Sequence, residues 1–420
     1  LNLCDPSPRV WKDGKVYFYC SHDFDIIDWT GHSNYAVSSE NLIDWEVHKD
    51  IFSSKGENDQ VPYNDAKLWA PDCMYRDGKY YFYYCQPDLN NMEGVAISEN
   101  PTGPFSVGKP IDLKGFNQID PAVFIDDDAC LPDRQGQAYY IWGQFDLNVA
   151  KLNRDMVSLD ESSIHNKVIT ENEHHFHEGA FMAKRNGIYY LVYADISRAG
   201  MPTSIGYATS SSPFGPYKYG GVIVDNDHSD PQVWNNHGGI FEFKGNWYVA
   251  YHRSSHNVGG MRRACIEPIF FNPDGSIPEV EMTSQGAGLP LDAFKTIEAE
   301  RACLVYGTTY IQLWNDNNEE LTGMNNGDRA AYKYIDFGKG NAKTVEFTVS
   351  PGTTPGKISV NIGKSWHQQI AVVDIPAKQG NEKWITVSAN LAKVEGVHEL
   401  WLTFLGEGNK LFSVDKFVFK

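Results

Sequence analysis

Asp5, Asp120 and Glu178 are acidic residues at matching places in a repeating pattern. Cleavage of a glycosidic bond needs one carboxylic acid to protonate the leaving oxygen and one carboxylate to activate water or attack. A third carboxylate beside the acid raises its pKa by like-charge repulsion and can hold its rotamer. Each residue alone also has a structural reading. Asp5 and Asp120 precede proline, and Asp-Pro commonly opens turns, while Glu178 precedes Gly179 and could end a loop. Their shared position, rather than any single motif, is what points to chemistry.

The pattern runs through the first two thirds of the chain. A short apolar run leads to a turn such as Asp13-Gly14 or Asp77-Gly78, then to an aromatic-rich strand such as 79–84 or 188–193, and then to a strand of small residues. Five such units occur, headed by Asp5, Ala70, Asp120, Glu178 and His237. The spacing is that of four-stranded units arranged radially, so residues 1–290 are predicted to form a five-bladed β-propeller. In that architecture the innermost strands line a central channel, and heads distant in sequence become neighbours at its mouth. Asp72, Asp126, Asp127 and Asp128 stand beside the heads but inside turns or strands, and are read as structural.

Bulk composition narrows the partner. The chain has 420 residues and a formal charge of −18, which disfavours nucleic acid and anionic membranes because phosphate neutralisation needs clustered Lys and Arg. Aromatic residues make up 13%, and their flat faces with polar edges suit sugars as well as interfaces. No apolar run is long enough for a membrane span. Leu1 in place of Met is expected where a leader has been removed or the chain trimmed. Seven cysteines without paired spacing exclude a disulfide scaffold and a zinc finger, although a Cys4–Cys20 or Cys73–Cys85 bridge between adjacent strands is an alternative. The His174, His175 and His177 run lacks metalloprotease spacing, and adjacent strand positions face opposite ways. His237 occupies a head, where it either holds a channel ion or water or hydrogen-bonds in the core.

From Leu291 a second β-rich region begins, with alternation at 343–349 and 357–362. Residues 291–420 are therefore predicted to form a β-sandwich of jelly-roll type, making the fold class all-β.

The first region resembles glycoside hydrolase family 43 through Asp5-Pro-Ser, Trp69-Ala-Pro-Asp72, Ile119-Asp-Pro121, Glu178-Gly-Ala, and the stretch from Arg262 to Ser276. The resemblance implies a five-bladed propeller that inverts anomeric configuration. It makes Asp5 the general base, Glu178 the general acid and Asp120 the residue that orients Glu178 and tunes its pKa. It also implies that an arginine from blade five, Arg262 or alternatively Arg263, reaches the sugar, that Trp69 walls the pocket, and that His237 is the channel residue that holds calcium through waters in some members. Inversion implies carboxyl groups of Asp5 and Glu178 about 6.5 to 9.5 Å apart.

The second region resembles a family 6 carbohydrate-binding module through Ile297-Glu-Ala-Glu300, Asp336-Phe-Gly338, the strand 396–404 and the closing stretch from Asp415. That resemblance implies a structural calcium on Glu298, Glu300 and Asp415, and a sugar cleft using Tyr332 or Tyr334 with Trp384. Ser413 stands where the family commonly has Asn, so weak sugar binding, or a bracing role, is expected there.

The expected activity is an inverting, exo-acting glycosidase releasing L-arabinofuranose, with β-xylosidase next, from arabinoxylan, arabinan or xylan. An endo-arabinanase and a non-catalytic sugar-binding protein are the alternatives. No cofactor is expected for catalysis, and the protein is expected to be a secreted or periplasmic monomer.

Overall fold

The computed structural model describes residues 2–24, 30–126, 136–198, 203–225, 235–256, 258–315 and 318–420. Asp127, Asp128 and Cys130 lie outside them. Blade one is β1 (Leu3–Val10), β2 (Val16–His22), β3 (Ser33–Ser39) and β4 (Glu46–Ser53), paired in that order. Blade two is β5 (Trp69–Arg76), β6 (Lys79–Gln86), β7 (Met92–Ser98) and β8 (Lys109–Pro110). Blade three is β9 (Ala122–Asp126), β10 (Gln137–Gln144) and β11 (Asp146–Leu152). Blade four is β12 (Phe176–Arg185), β13 (Ile188–Asp195), β14 (Ser204–Ser210) and β15 (Lys218–Val224), and blade five is β16 (Gly239–Phe243), β17 (Asn246–Ser254) and β18 (Arg262–Ile269). These are the five blades of a propeller.

The second strand of each blade is aromatic because both of its faces are covered by neighbouring blades. Tyr17 and Tyr19 of β2 pack with Phe82 and Tyr84 of β6, for example. Fully burying side chains of this size contributes roughly 1.5–3 kcal/mol each. The first hairpins of blades two, four and five close at Asp77-Gly78, Asn186-Gly187 and Lys244-Gly245. Both central residues have positive φ in each, as type I′ turns require.

Of the acids set aside as structural, the two among the described residues, Asp72 and Asp126, tie blades together. Buried Asp72 takes Arg9 Nε at 2.9 Å and Ser7 Oγ at 2.5 Å, and accepts the Val123 N–H at 2.7 Å, tying blades one, two and three together. Asp126 accepts from Lys184 and Tyr189, joining blades three and four. Cys4, Cys20, Cys73 and Cys85 are buried free thiols, so neither candidate bridge forms.

Leu291 opens the first strand that pairs into the C-terminal sandwich. One sheet is built around Arg329–Asp336, Val397–Gly406 and Gly356–Ile362, and the other around Phe412–Phe419 and Thr344–Pro351. Their inner faces share one apolar core that includes Phe347, Leu402 and Phe417. The sandwich docks on the propeller through Leu304, Ala331 and Trp401 against Ile223, Val224 and Met282. Arg263 pairs with Glu319, and Arg253 Nη2 donates to the Ala302 carbonyl at 2.9 Å across the same junction.

Candidate active site

Three repeat heads, and the glycine after the fourth, have left-handed backbone. Asp5, Ala70, Asp120 and Gly179 have φ of 52°, 28°, 65° and 67°. The register slips at Cys4–Ser7, Trp69–Asp72 and Glu178–Phe181. A bulge of this kind re-aims one side chain out of the ladder. Here it re-aims the heads of blades one, two and four, Asp5, Ala70 and Glu178, all of which line one pocket. At Gly179 a Cβ would stand 2.6 Å from His237 Nδ1, so only glycine lets blades four and five close beside Glu178.

Asp5, Asp120 and Glu178 line one pocket of about 340 Å³, with Trp69, Arg262 and His237. That volume is at the small end of ligand sites, about 300–1,000 Å³. Two larger clefts, of about 810 and 1090 Å³, lie at the junction of the domains, and neither is lined by these acids. Burial first, then the charges of Glu178 and Asp5, pushes the Asp120 carboxyl well above the usual range. Burial also pushes Glu178 up, against the opposing pull of His177 and of Gln144, whose Nε2 donates to Glu178 Oε2 at 2.7 Å. A buried acid pair shifted this way keeps a proton that water-exposed carboxyls would have lost.

Asp5 stands in different company. Arg262 Nη1 lies 3.1 Å from Asp5 Oδ1, and the Asp5 N–H donates to His252 Nδ1 at 3.0 Å. Burial holds the His252 and His237 imidazoles below their usual values, so both are neutral at pH 7. His237 Nδ1 lies 3.9 Å from Asp120 Oδ2. Three residues that line the pocket each carry a polar atom buried without a partner among the described residues: Thr30 Oγ1, Trp69 Nε1 and Asn235 Oδ1. Donors and acceptors left this way are costly unless a polar ligand meets them, and a polyhydroxylated one supplies both kinds.

Of the two candidate arginines, Arg262 is the pocket residue. Arg263, one strand position on, faces the other way and is committed to Glu319. The histidine run separates: His174 contacts the Thr170 N–H and the Tyr217 carbonyl, whereas His177 reaches the pocket and pairs with Glu171 at 3.2 Å. Gln144, Asp23, His252, Thr30 and Asn235 were not legible as site residues, because none of them heads a repeat.

In the sandwich, the predicted cleft is corrected. Tyr332 is fully buried and donates its hydroxyl to the Ala299 carbonyl at 2.8 Å, so it offers no face to a sugar. A register shift between Tyr332 and Ile335 turns both inward and sends Lys333 and Tyr334 out, where each meets Glu281 of the propeller segment. The partner of Trp384 is Trp314, at 5.2 Å and 62°, with Lys383 Nζ 4.4 Å above the Trp314 ring. This edge-on contact leaves no slot between the rings. Ser413 shares a hydrogen bond with Thr322 at 2.7 Å.

Among the described residues no three His, Cys, Asp or Glu side chains gather as a metal-binding group. Glu298, Glu300 and Asp415 are nevertheless electrostatic neighbours: Asp415 acts on Glu298, and Glu298 acts on Glu300. Glu300 Oε2 and Glu320 Oε2 are buried without a partner among the described residues. Burial, with the charges of Glu319 and Glu298 adding to it, pushes Glu300 up to about 7. Unsatisfied carboxylate oxygens of this kind are the donor chemistry of a hard cation.

Comparison with known proteins gives the family of each domain. Glycosyl hydrolases family 43 matches residues 1–277, and Carbohydrate binding module (family 6) matches residues 298–420. An arabinoxylan arabinofuranohydrolase of Bacillus subtilis is 28% identical over 99% of this chain and 90% of its own length. A xylosidase/arabinosidase of Humicola insolens is 31% identical over 66% of this chain and 96% of its own. The solved structure of an α-L-arabinofuranosidase from Clostridium thermocellum covers 66% of this chain and 93% of its own, at 33% identity and a TM-score of 0.53.

Proposed function

Because the chain belongs to glycosyl hydrolase family 43 and is a glycosidase of the arabinofuranosidase and xylosidase type, we propose that it is an inverting, exo-acting α-L-arabinofuranosidase. Its substrates are arabinose side chains of arabinoxylan or arabinan, with xylosidic ends of xylo-oligosaccharides second. The observation that carries this reading is the convergence of Asp5, Asp120 and Glu178 on one small pocket, beside donors and acceptors that have no partner among the described residues. Relatives named for both sugars support placing the two activities together.

Glu178 gives its proton to the glycosidic oxygen as the bond to the anomeric carbon breaks. Water attacks that carbon from the opposite face, and Asp5 takes the proton that water loses. A single displacement inverts the centre. Asp120, beside Glu178, keeps a proton available to the pair by charge repulsion. Trp69, Arg262 and His237 line the sugar site. No cofactor enters the reaction. A structural calcium held by Glu298, Glu300 and Asp415 would neutralise buried acids in the second domain and take no part in the chemistry. That domain braces the propeller, and a polymeric plant cell-wall substrate implies action outside the cytoplasm.

Glu178→Gln is the direct test. It should lower turnover of arabinoxylan oligosaccharides by roughly 10²–10⁴-fold, the usual worth of a general acid, with the fold intact. An activated aryl arabinofuranoside, whose leaving group departs without full protonation, should lose less. Proton NMR of the first product should show the inverted anomer. A retained anomer would refute the single displacement, and an unmodified protein inert toward aryl arabinofuranoside, aryl xyloside and arabinan would refute the enzyme reading.

A further inference from the structure

Arg262 is buried at the head of β18, within reach of Asp5. A guanidinium so placed can meet a carboxylate with both prongs of its fork, engaging both oxygens. For a residue that must take a proton from water, that arrangement would occupy the lone pairs it needs. The structure shows another outcome. The fork is spent on Asp23, with Nε 2.9 Å from Oδ2 and Nη2 2.8 Å from Oδ1, and the Arg262 N–H adds a third bond to Oδ2 at 2.8 Å. Only Nη1 is placed on Asp5, at Oδ1, which is also the oxygen nearest His252, 3.4 Å away.

Asp23 is 1% exposed and does not line the pocket. It also accepts the Thr30 N–H at 3.1 Å and the Cys4 thiol at 3.3 Å. One carboxylate thus joins the residue before Asp5, the backbone of pocket-lining Thr30, and the arginine from blade five. Burial alone would push Asp23 up, but the charge and hydrogen bonds of Arg262 reverse it and hold the carboxyl below its usual range.

We propose that Asp23 is a positioning residue for the hydrolysis: it turns the Arg262 fork away from Asp5, so that a single N–H meets Oδ1 and Oδ2 is kept for the attacking water. The proposal rests on the reading of Asp5 as the general base.

Two variants separate positioning from mere charge neutralisation. Asp23→Asn cannot accept the fork, and Asp23→Glu keeps the charge on a longer arm. Each should lower kcat by on the order of 10²-fold, as small misplacements in an active site do, with a smaller change in KM. Arg262→Lys removes the fork itself. In that background Asp23→Asn should change kcat/KM by less than about threefold, because residues acting through one another are non-additive. Full kcat in a folded Asp23→Glu, or additive losses in the double variant, would overturn the proposal. Should Asp23→Asn not fold, Asp23→Glu alone and with Arg262→Lys decides by the same criteria. Asp5→Asn is measured in parallel. If it retains turnover, the assignment of the base fails, whatever Asp23 does.

Discussion

Gln144 donates to Glu178 Oε2, and so favours the ionised form of the group that must deliver a proton. Asp120 acts oppositely: the charge of Glu178 helps push Asp120 up, and in a pair that repels in this way one ionised carboxyl disfavours loss of the other's proton. The two residues should therefore move the alkaline limb of kcat/KM, where the acid loses its proton, in opposite directions. Gln144→Leu removes a stabiliser of the carboxylate, and the limb should rise by about one pH unit, given that one unit is about 1.4 kcal/mol. Asp120→Asn removes the repelling charge, and the limb should fall by a similar amount. A pH–rate series on an oligosaccharide substrate reads both, and displacement in the same direction would contradict the assignment. Asp5, Asp120 and Glu178 could be picked out from sequence because each heads a repeat. Gln144 could not, because it ends the second strand of blade three and gains its role from a single bridge to Glu178 between blades.

At the scale of elements, the strand–turn–aromatic-strand period was readable in full, since each blade must bury the same faces. The bulge at the blade heads was not, because a positive φ at Asp5 or Asp120 leaves no mark in the residue type. Only Gly179 carries one. Gly179→Ala should lose about 1–2 kcal/mol for its left-handed φ, plus the cost of moving His237, whose Nδ1 is 2.6 Å from the added carbon. Gly187 is the matched control, with φ of 79° and nothing within 4 Å of the place a Cβ would take, so its alanine variant should show the conformational cost alone. Urea melts of the two variants give the difference, and equal losses would remove His237 from the account. Turnover should fall only in the first. In the sandwich, strand alternation correctly indicated two sheets, yet the register shift after Tyr332 inverted which aromatics face outward. One slipped residue exchanges core and surface, and nothing local announces it.

Across the whole molecule, the sandwich is fastened to blades four and five by an apolar patch and by Arg253 and Arg263. Two acids at that junction, Glu267 and Glu300, are pushed up by burial. Glu300 is the most informative of them, because burial pushes it up to about 7 while its unfolded value is 4.5. The folded state therefore binds this proton more tightly than the unfolded one. Stability from this group is fully present below pH 4.5 and is lost as pH rises to about 7, by up to roughly 3 kcal/mol. A calcium ion bound only by the folded protein would oppose that loss, stabilising more as its concentration rises above Kd. Thermal melts from pH 4.5 to 8 should accordingly show Tm falling across this window in chelator. The fall should be reduced in millimolar calcium, and reduced in Glu300→Gln with or without calcium. Identical melts of unmodified protein in chelator and in calcium would exclude the cation site, whereas an unchanged pH dependence in Glu300→Gln would move the titration to another buried acid at the junction, with Glu267, also pushed up to about 7, as the next to replace.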